Sequence, residues 1–259
     1  MTEVYKFSEP QLLLFFLVLV RMSAFIVSWP VFGVETISTP IKILFSVTLA
    51  LLVFPTLHFS VEQQTVVSQS IVLMAAKEAV IGLMIGSLAR FFFFAFQIAG
   101  ELVSMSIGLS SAQMFNPALG GQASSVEQFY LAFATLFYLS VNGHHFLISG
   151  LVDSFRVVPI SAELLNTGEL KNVSMFVSQV VQIGLQFSAP IIVSILVVNL
   201  VLGVVGKTVP QMNVLVTSFP INILVGFAIL ILTLPLMMDE MGDFLQAATA
   251  GVFKMVKTF

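Results

Sequence analysis

Three polar residues inside an apolar run, Arg90, Gln97 and Glu101, recur at i, i+7 and i+11. On a helix this places them within about 20° of one face. The chemistry open to them is ion pairing and hydrogen bonding. Arg90 and Glu101 stand about 16 Å apart along the axis, too far to pair with each other. Unpaired charge at membrane depth is costly, so each needs a partner from another helix or another subunit. An internal salt bridge that fixes packing is one outcome. Pairing across subunits is the other, and it is favoured because few charges elsewhere in the chain can serve as partners. Gln179, Gln182 and Gln186 repeat the pattern at i, i+3 and i+7. Such a stripe either joins helices by interhelical hydrogen bonds, the commoner use, or lines a water-filled passage. The adjacent His144 and His145 point about 100° apart on a helix, with no Asp or Glu near them in sequence. They read as polar residues at a helix end rather than as metal ligands or a proton relay.

Catalytic spacing is missing. The chain has no HExxH, no GxSxG and no P-loop, so an enzyme is the least favoured class and no cofactor is expected. It also has no cysteine, from which no disulfide framework, zinc site or thiol nucleophile is expected. Of its 259 residues 58% are hydrophobic and 9% charged, against about 25% charged in a soluble domain. The class is a membrane protein. No basic run is present that could hold nucleic acid. The segment MTEVYKFSEPQ mixes charges ahead of an apolar run that continues past Arg21 to Trp29 without a small-residue cleavage site, so a removable signal peptide is not expected.

The polar residues are carried by apolar segments of membrane-spanning length, about 20 residues. These are Leu12 to Trp29, Ile41 to Phe59 (with Pro55), Ile71 to about Ala112, Gln128 to Val152, Asn172 to Gly206, and Ile221 to Met238. The expected fold is therefore all-α and membrane-type: about six long, partly broken apolar helices in hairpins, with irregular loops near 106–126 and 207–222. Val173 to Gly206 would be about 51 Å long as one helix, against a hydrocarbon core of about 30 Å. A break near Gly184 or Pro190 is expected for that reason. The run FFFFAF, Phe91 to Phe96, makes the third segment apolar on every face, as in a helix buried in lipid or protein. If six elements alternate, Lys6, Arg156, Lys171, Lys254 and Lys257 share a side with both termini, opposite Lys42 and Lys207. The positive-inside rule then puts the termini in the cytoplasm.

Two irregular segments interrupt this pattern. GLSSAQMFNPALGGQASSVEQF, Gly108 to Phe129, carries the breaker pairs Asn116-Pro117 and Gly120-Gly121. Non-helical backbone at membrane depth is tolerated only inside protein or along a cavity. Such a loop either fills a pore or is an ordinary extramembrane turn. The second, VVGKTVPQMNVLVTSFPIN from Val204 to Asn222, is broken by Pro210, Asn213 and Pro220 around the single charge Lys207, and marks a hairpin. In the tail after Met238, residues Met241, Leu245, Ala248, Val252, Val256 and Phe259 share one helical face. This suits an interfacial helix or a helix docked on a partner.

The two irregular segments resemble, in order, the two signatures of the FliR family, a component of the bacterial flagellar type III export apparatus. Length, six-element layout and the charged third segment fit as well, so the resemblance covers nearly the whole chain. It implies a subunit of the export gate, built with FliP-like and FliQ-like subunits into a helical hetero-oligomer in the bacterial inner (cell) membrane, within the flagellar basal body. FlhB-like and FlhA-like proteins would join at the cytoplasmic side, and unfolded exported proteins would be the substrates. Residues 1–170 would be the FliP-like part, 171–238 a FliQ-like helical hairpin and 239–259 an amphipathic tail. The loop 106–122 would be the pore plug. Within it Gly108, Gly120 and Gly121 would supply bending and Met114 and Phe115 the apolar seal, beside Leu109, Gln113, Asn116, Pro117 and Gln122. The second signature, with Gly206, Lys207, Pro210, Gln211, Met212, Asn213, Phe219 and Pro220, would carry the hairpin loop that contacts FlhB-like protein. Relatives in virulence injectisomes share the pattern, and both signatures read closer to the flagellar branch. The alternative of another class is an autonomous small-solute transporter or channel, whose sites are built from discontinuous helices and internal repeats.

Overall fold

The computed structural model describes residues 9–31, 37–57, 71–110, 124–160, 170–209, 211 and 213–258. Among them the secondary structure is helical. The α-helices are α1 (Glu9–Ser28), α2 (Thr39–Val53, continued by a 3-10 turn, Phe54–Thr56), α3 (Ile71–Ile107), α4 (Ser125–Ser140), α5 (Gly143–Val157), α6 (Leu170–Thr208) and α7 (Val214–Thr258). Five of them are long and apolar enough to cross a membrane, and six spans result if α4 and α5, bent at the break between them, count as one. The chain is thus an all-α membrane protein. Hydroxyls are accommodated in these helices by donating back to their own backbone. Ser46 Oγ bonds Lys42 O at 2.7 Å, Thr135 Oγ1 bonds Leu131 O at 2.8 Å, and Ser106 Oγ bonds Leu102 O at 2.7 Å. This removes the cost of an unsatisfied donor in an apolar medium.

Several boundaries differ from expectation, each for a local reason. The uncharged stretch Gln128 to Val152 is two helices, because Asn142 takes a left-handed conformation (φ 56°, ψ 32°) ahead of Gly143. Asn-Gly is a turn pair, and it ends α4 despite the apolar flanks. The opposite holds for α6, which runs unbroken past both Gly184 and Pro190. Gly184 is a contact point: a Cβ there would lie 2.8 Å from Ile98 Cγ2 of α3. Pro190 removes one backbone donor, but where no water can take over the remaining bonds, keeping the helix costs less than opening it. The second irregular segment is also shorter than 207–222. Asn213 Oδ1 accepts the Val216 N–H at 3.3 Å and caps α7, so Phe219 and Pro220 are helical. The tail is not a separate element either, since residues 239–258 continue α7.

By packing, the chain divides into two compact units interleaved in sequence: residues 1–91, 142–174 and 247–259, and residues 92–141 with 175–246. In the first, α1 buries Leu14, Leu17, Val18, Arg21, Met22, Phe25 and Ile26, a one-sided stripe of helical period. The edge of Phe15 meets Phe54 after α2 at 5.5 Å. On α3, Gly82 and Gly86 form a small-xxx-small pair. A Cβ on Gly82 would stand 2.3 Å from the Arg21 carbonyl oxygen, and one on Gly86 1.9 Å from Ser28 Oγ, so α1 and α3 touch backbone to backbone. In the second unit Phe92, Phe93 and Phe96 of α3 are buried in the core, while Phe94 is exposed. Phe96 stacks on Phe187 of α6 at 5.2 Å, Phe93 meets Tyr138 of α4 edge-on at 5.5 Å, and Phe92 stacks on Phe244 of α7 at 5.4 Å. With Met241 and Leu245 also buried, the first part of the tail docks within its own unit. The side chains of Ala248, Val252, Val256 and Phe259 lie outside the described residues.

Candidate functional site

The polar groups fall into three settings. In the first unit Arg21 and Glu78, both with no exposed side-chain surface, form an ion pair through Arg21 Nε. Arg21 Nη1 donates to Ser154 Oγ and Nη2 to the Val158 carbonyl oxygen, each at 3.0 Å. The guanidinium lies 4.0 Å from the centre of the Phe155 ring. Beside Glu78, Lys77 Nζ donates to the Pro159 carbonyl oxygen at 3.2 Å. One planar cation thus joins α1, α3 and the end of α5 through one hydrogen bond from each of its three nitrogens. Glu78 Oε1 is buried without a hydrogen bond among the described residues. Sequence reading did not assign this cluster. Its signals were Arg21 amid Leu and Val, and the adjacent Lys77 and Glu78 within the apolar third segment.

The second setting is the end of α3 and the hairpin of α6 and α7. Gly108 follows the last residue of α3 with φ +89°, and a Cβ there would meet the Phe219 ring at 2.9 Å. Two turns further along α7, a Cβ on Gly226 would stand 2.3 Å from Ile107 Cγ2. Asn222 Nδ2 donates to Asn199 Oδ1 at 3.1 Å and ties α7 to α6. Ser104 and Ser110 hydroxyls meet at 2.9 Å across the turn. Gly108 from the first irregular segment and Phe219 from the second are therefore in contact. Leu109 is half-buried beside them. Gln113, Met114, Phe115, Asn116, Pro117, Gly120, Gly121 and Gln122 lie outside the described residues, as do Pro210 and Met212. Lys207, Gln211 and Asn213 are exposed at the hairpin turn, Pro220 is exposed within α7, and Gly206 faces Val214.

The third setting is the polar residues on long helices. Gln179, Gln182 and Gln186 are all exposed, on a helix whose apolar stretch within Val177–Thr208 is 11% buried. Arg90 is exposed and forms no ion pair among the described residues, whereas Gln97 and Glu101 are half-buried. The three do not assemble into one site. Glu101 instead lies near Glu127, because Gly100 lets the start of α4 approach until a Cβ there would touch Glu127 Cα at 2.5 Å. Ser124 caps that helix, its Oγ accepting the Glu127 N–H at 3.1 Å. His144 and His145 open α5 with ring centres 4.2 Å apart.

Long apolar helices, a buried charge cluster that fixes packing, and an exposed Gln stripe define a polytopic membrane protein. The family described as bacterial export proteins, family 1, matches residues 12–248. The chain is 36% identical over 221 residues to the flagellar biosynthetic protein FliR of Bacillus subtilis, covering 84% of each chain. It is 32% identical over 243 residues to that of Aquifex aeolicus, covering 92% of each, and 29% identical over 223 residues to that of Escherichia coli, covering 86% and 85%. The chain belongs to the FliR family of flagellar biosynthetic proteins and is a component of flagellar export.

Proposed function

We propose that the chain is a non-catalytic subunit of the flagellar type III export gate in the bacterial inner membrane. There FliP-like and FliQ-like subunits complete a protein-conducting pore with it, and FlhB-like and FlhA-like proteins meet it at the cytoplasmic side. Unfolded exported proteins are the cargo. Residues 1–170 take the FliP-like place and the α6–α7 hairpin the FliQ-like place. The loop 106–122 plugs the pore, and the turn at Lys207 to Asn213 contacts the FlhB-like protein.

The observation that carries this reading is the uncovered Gln stripe on α6. At about 58 Å, that helix is nearly twice as long as the hydrocarbon core is thick. Amides facing lipid are costly, and helices from neighbouring subunits satisfy them by interhelical hydrogen bonds. Exposed Arg90 asks for the same kind of cover. An autonomous transporter draws its support from discontinuous helices, and α6 and α7 are continuous through Pro190, Pro220 and Pro235.

Deleting Ser110 to Ser124 tests the plug. Assembled complexes with the deletion are expected to make the cell membrane leak small ions, measured as loss of a potassium gradient. An unchanged gradient in cells with normal complex levels contradicts the role given to this loop.

A further inference from the structure

The Gln stripe of α6 does not stop at Gln186. The same alternation of three and four residues continues through Ala189, Val193, Leu196 and Leu200 to Gly203 and Lys207, and each of these is exposed. The series is a heptad seam, about 42 Å long at 1.5 Å per residue. Most of α6 beyond Val177 is exposed, so exposure alone does not single out this series; its chemistry does. The first part carries amides that lipid leaves without partners. Pro190 adds a second demand beside them. Having no N–H, it leaves the Gln186 carbonyl without its i+4 donor. The nearest hydroxyls are engaged elsewhere, Ser188 with the Leu185 carbonyl at 3.0 Å and Ser194 with the Pro190 carbonyl at 2.7 Å. A backbone acceptor and an amide thus stand together on the exposed face. Further on, a Cβ at Gly203 would meet nothing within 4 Å. Glycine weakens a helix interior, and here it leaves a notch between Leu200 and Lys207. Lys207 ends the seam and forms no ion pair among the described residues.

We propose that one long helix of another subunit lies along this seam, crossing α6 at about 20° as in a left-handed coiled coil. Opposite Gln186 that helix carries an N–H or O–H donor, the group that lipid tails lack. It fills the notch at Gly203 with a large apolar side chain and sets a carboxylate against Lys207. A second copy of α6 does not meet these needs together. Packed parallel it sets Lys207 against Lys207, and packed antiparallel it sets Gln186 against Leu200. The period also fixes the extent of the contact. Residues repeating every 3.5 positions stay in one seam only if the two helices wind around each other. The partner therefore runs beside α6 for more than the roughly 30 Å of the hydrocarbon core. Which subunit supplies the helix rests on the export-gate reading above, whereas the seam does not.

A photo-crosslinking residue, p-benzoylphenylalanine, placed singly at Val193, Leu196 or Leu200 tests the seam in cells that hold the full export complex. Val181 and Val201, also exposed, each point about 100° away from the seam residue beside them and serve as controls. The three seam positions are expected to give one and the same protein adduct, and the controls a different product or none. The same product from all five positions, or no protein adduct from the seam, overturns the proposal. An adduct between two copies of this chain overturns the choice of partner. A single seam adduct with a protein other than the FliP-like, FliQ-like, FlhB-like and FlhA-like subunits keeps the seam and defeats the export-gate reading instead. Pro190→Ala supplies a second arm, because it returns an N–H to the Gln186 carbonyl. It is expected to raise the thermal midpoint of the isolated chain while lowering partner recovery by about 3-fold to 30-fold, the effect of losing one interhelical hydrogen bond in a membrane. A variant that keeps its partner in full, or melts lower, contradicts the donor opposite Gln186.

Discussion

Arg21→Leu is expected to leave almost no folded chain in the membrane, and Arg21→Leu combined with Glu78→Leu is expected to bring it back. Both side chains of the pair are fully buried. Removing Arg21 strips the Glu78 carboxylate of its ion-pair partner, and its second oxygen already lacks a hydrogen bond among the described residues. The neighbouring Lys77 is held by the Pro159 carbonyl. Breaking a buried pair from one side costs about 3–5 kcal/mol, a large share of the roughly 5–15 kcal/mol that keeps a domain folded. Exchanging both partners for apolar residues removes the desolvation cost together with the attraction, and is often neutral or stabilising by about 1–4 kcal/mol. Glu78→Leu alone should do less damage than Arg21→Leu. The guanidinium would keep Ser154, the Val158 carbonyl and the face of Phe155. Fluorescence-detected size-exclusion of a tagged chain, with its thermal midpoint, reads all four proteins. A stable Arg21→Leu chain, or a double variant no better than the single, would contradict this role for the cluster.

Replacing Gln179, Gln182 and Gln186 together by Leu is expected to have the opposite profile. These side chains are exposed in the chain by itself, so the isolated protein should accumulate and melt as before. What should be lost is capture by FliP-like and FliQ-like subunits. Interhelical hydrogen bonds in membranes contribute about 0.6–2 kcal/mol each, so three of them supply roughly 2–6 kcal/mol. That corresponds to a weakening of about 30-fold to above 10⁴-fold. Pull-down of the tagged triple variant from co-expressing cells measures it. Partner recovery equal to wild type would remove the stripe from the interface.

Much of the helical layout is legible in the residues, because a chain at membrane depth has little choice but to form helices through its apolar runs. Where sequence reading fails, the deciding interaction is distant or is a balance of local terms. Pro190 and Gly184 read as a break, yet continuity of the other backbone bonds outweighs one missing donor, and Gly184 serves a crossing with α3. Asn142-Gly143 does break the chain, but its signal is hidden inside a stretch with no charge. The partner of Arg21 cannot be read locally, since Glu78 and Ser154 come from distant helices. Gly82 and Gly86 carried a readable close-packing signal. The candidate site divides in the same way. The types and spacing of Gln179, Gln182 and Gln186 disclose an uncovered stripe, whereas the meeting of Gly108 with Phe219 depends on how α7 lies on α3. Asn213 read as a loop residue, and its side chain caps α7 instead.

The most direct test of the export-gate reading is native mass spectrometry of the tagged chain, purified alone and after co-expression with its FliP-like and FliQ-like neighbours. The expected result is one copy of the chain within a large hetero-complex of defined mass that forms only on co-expression. A stable lone monomer or homodimer, unchanged by the presence of those neighbours, would contradict it.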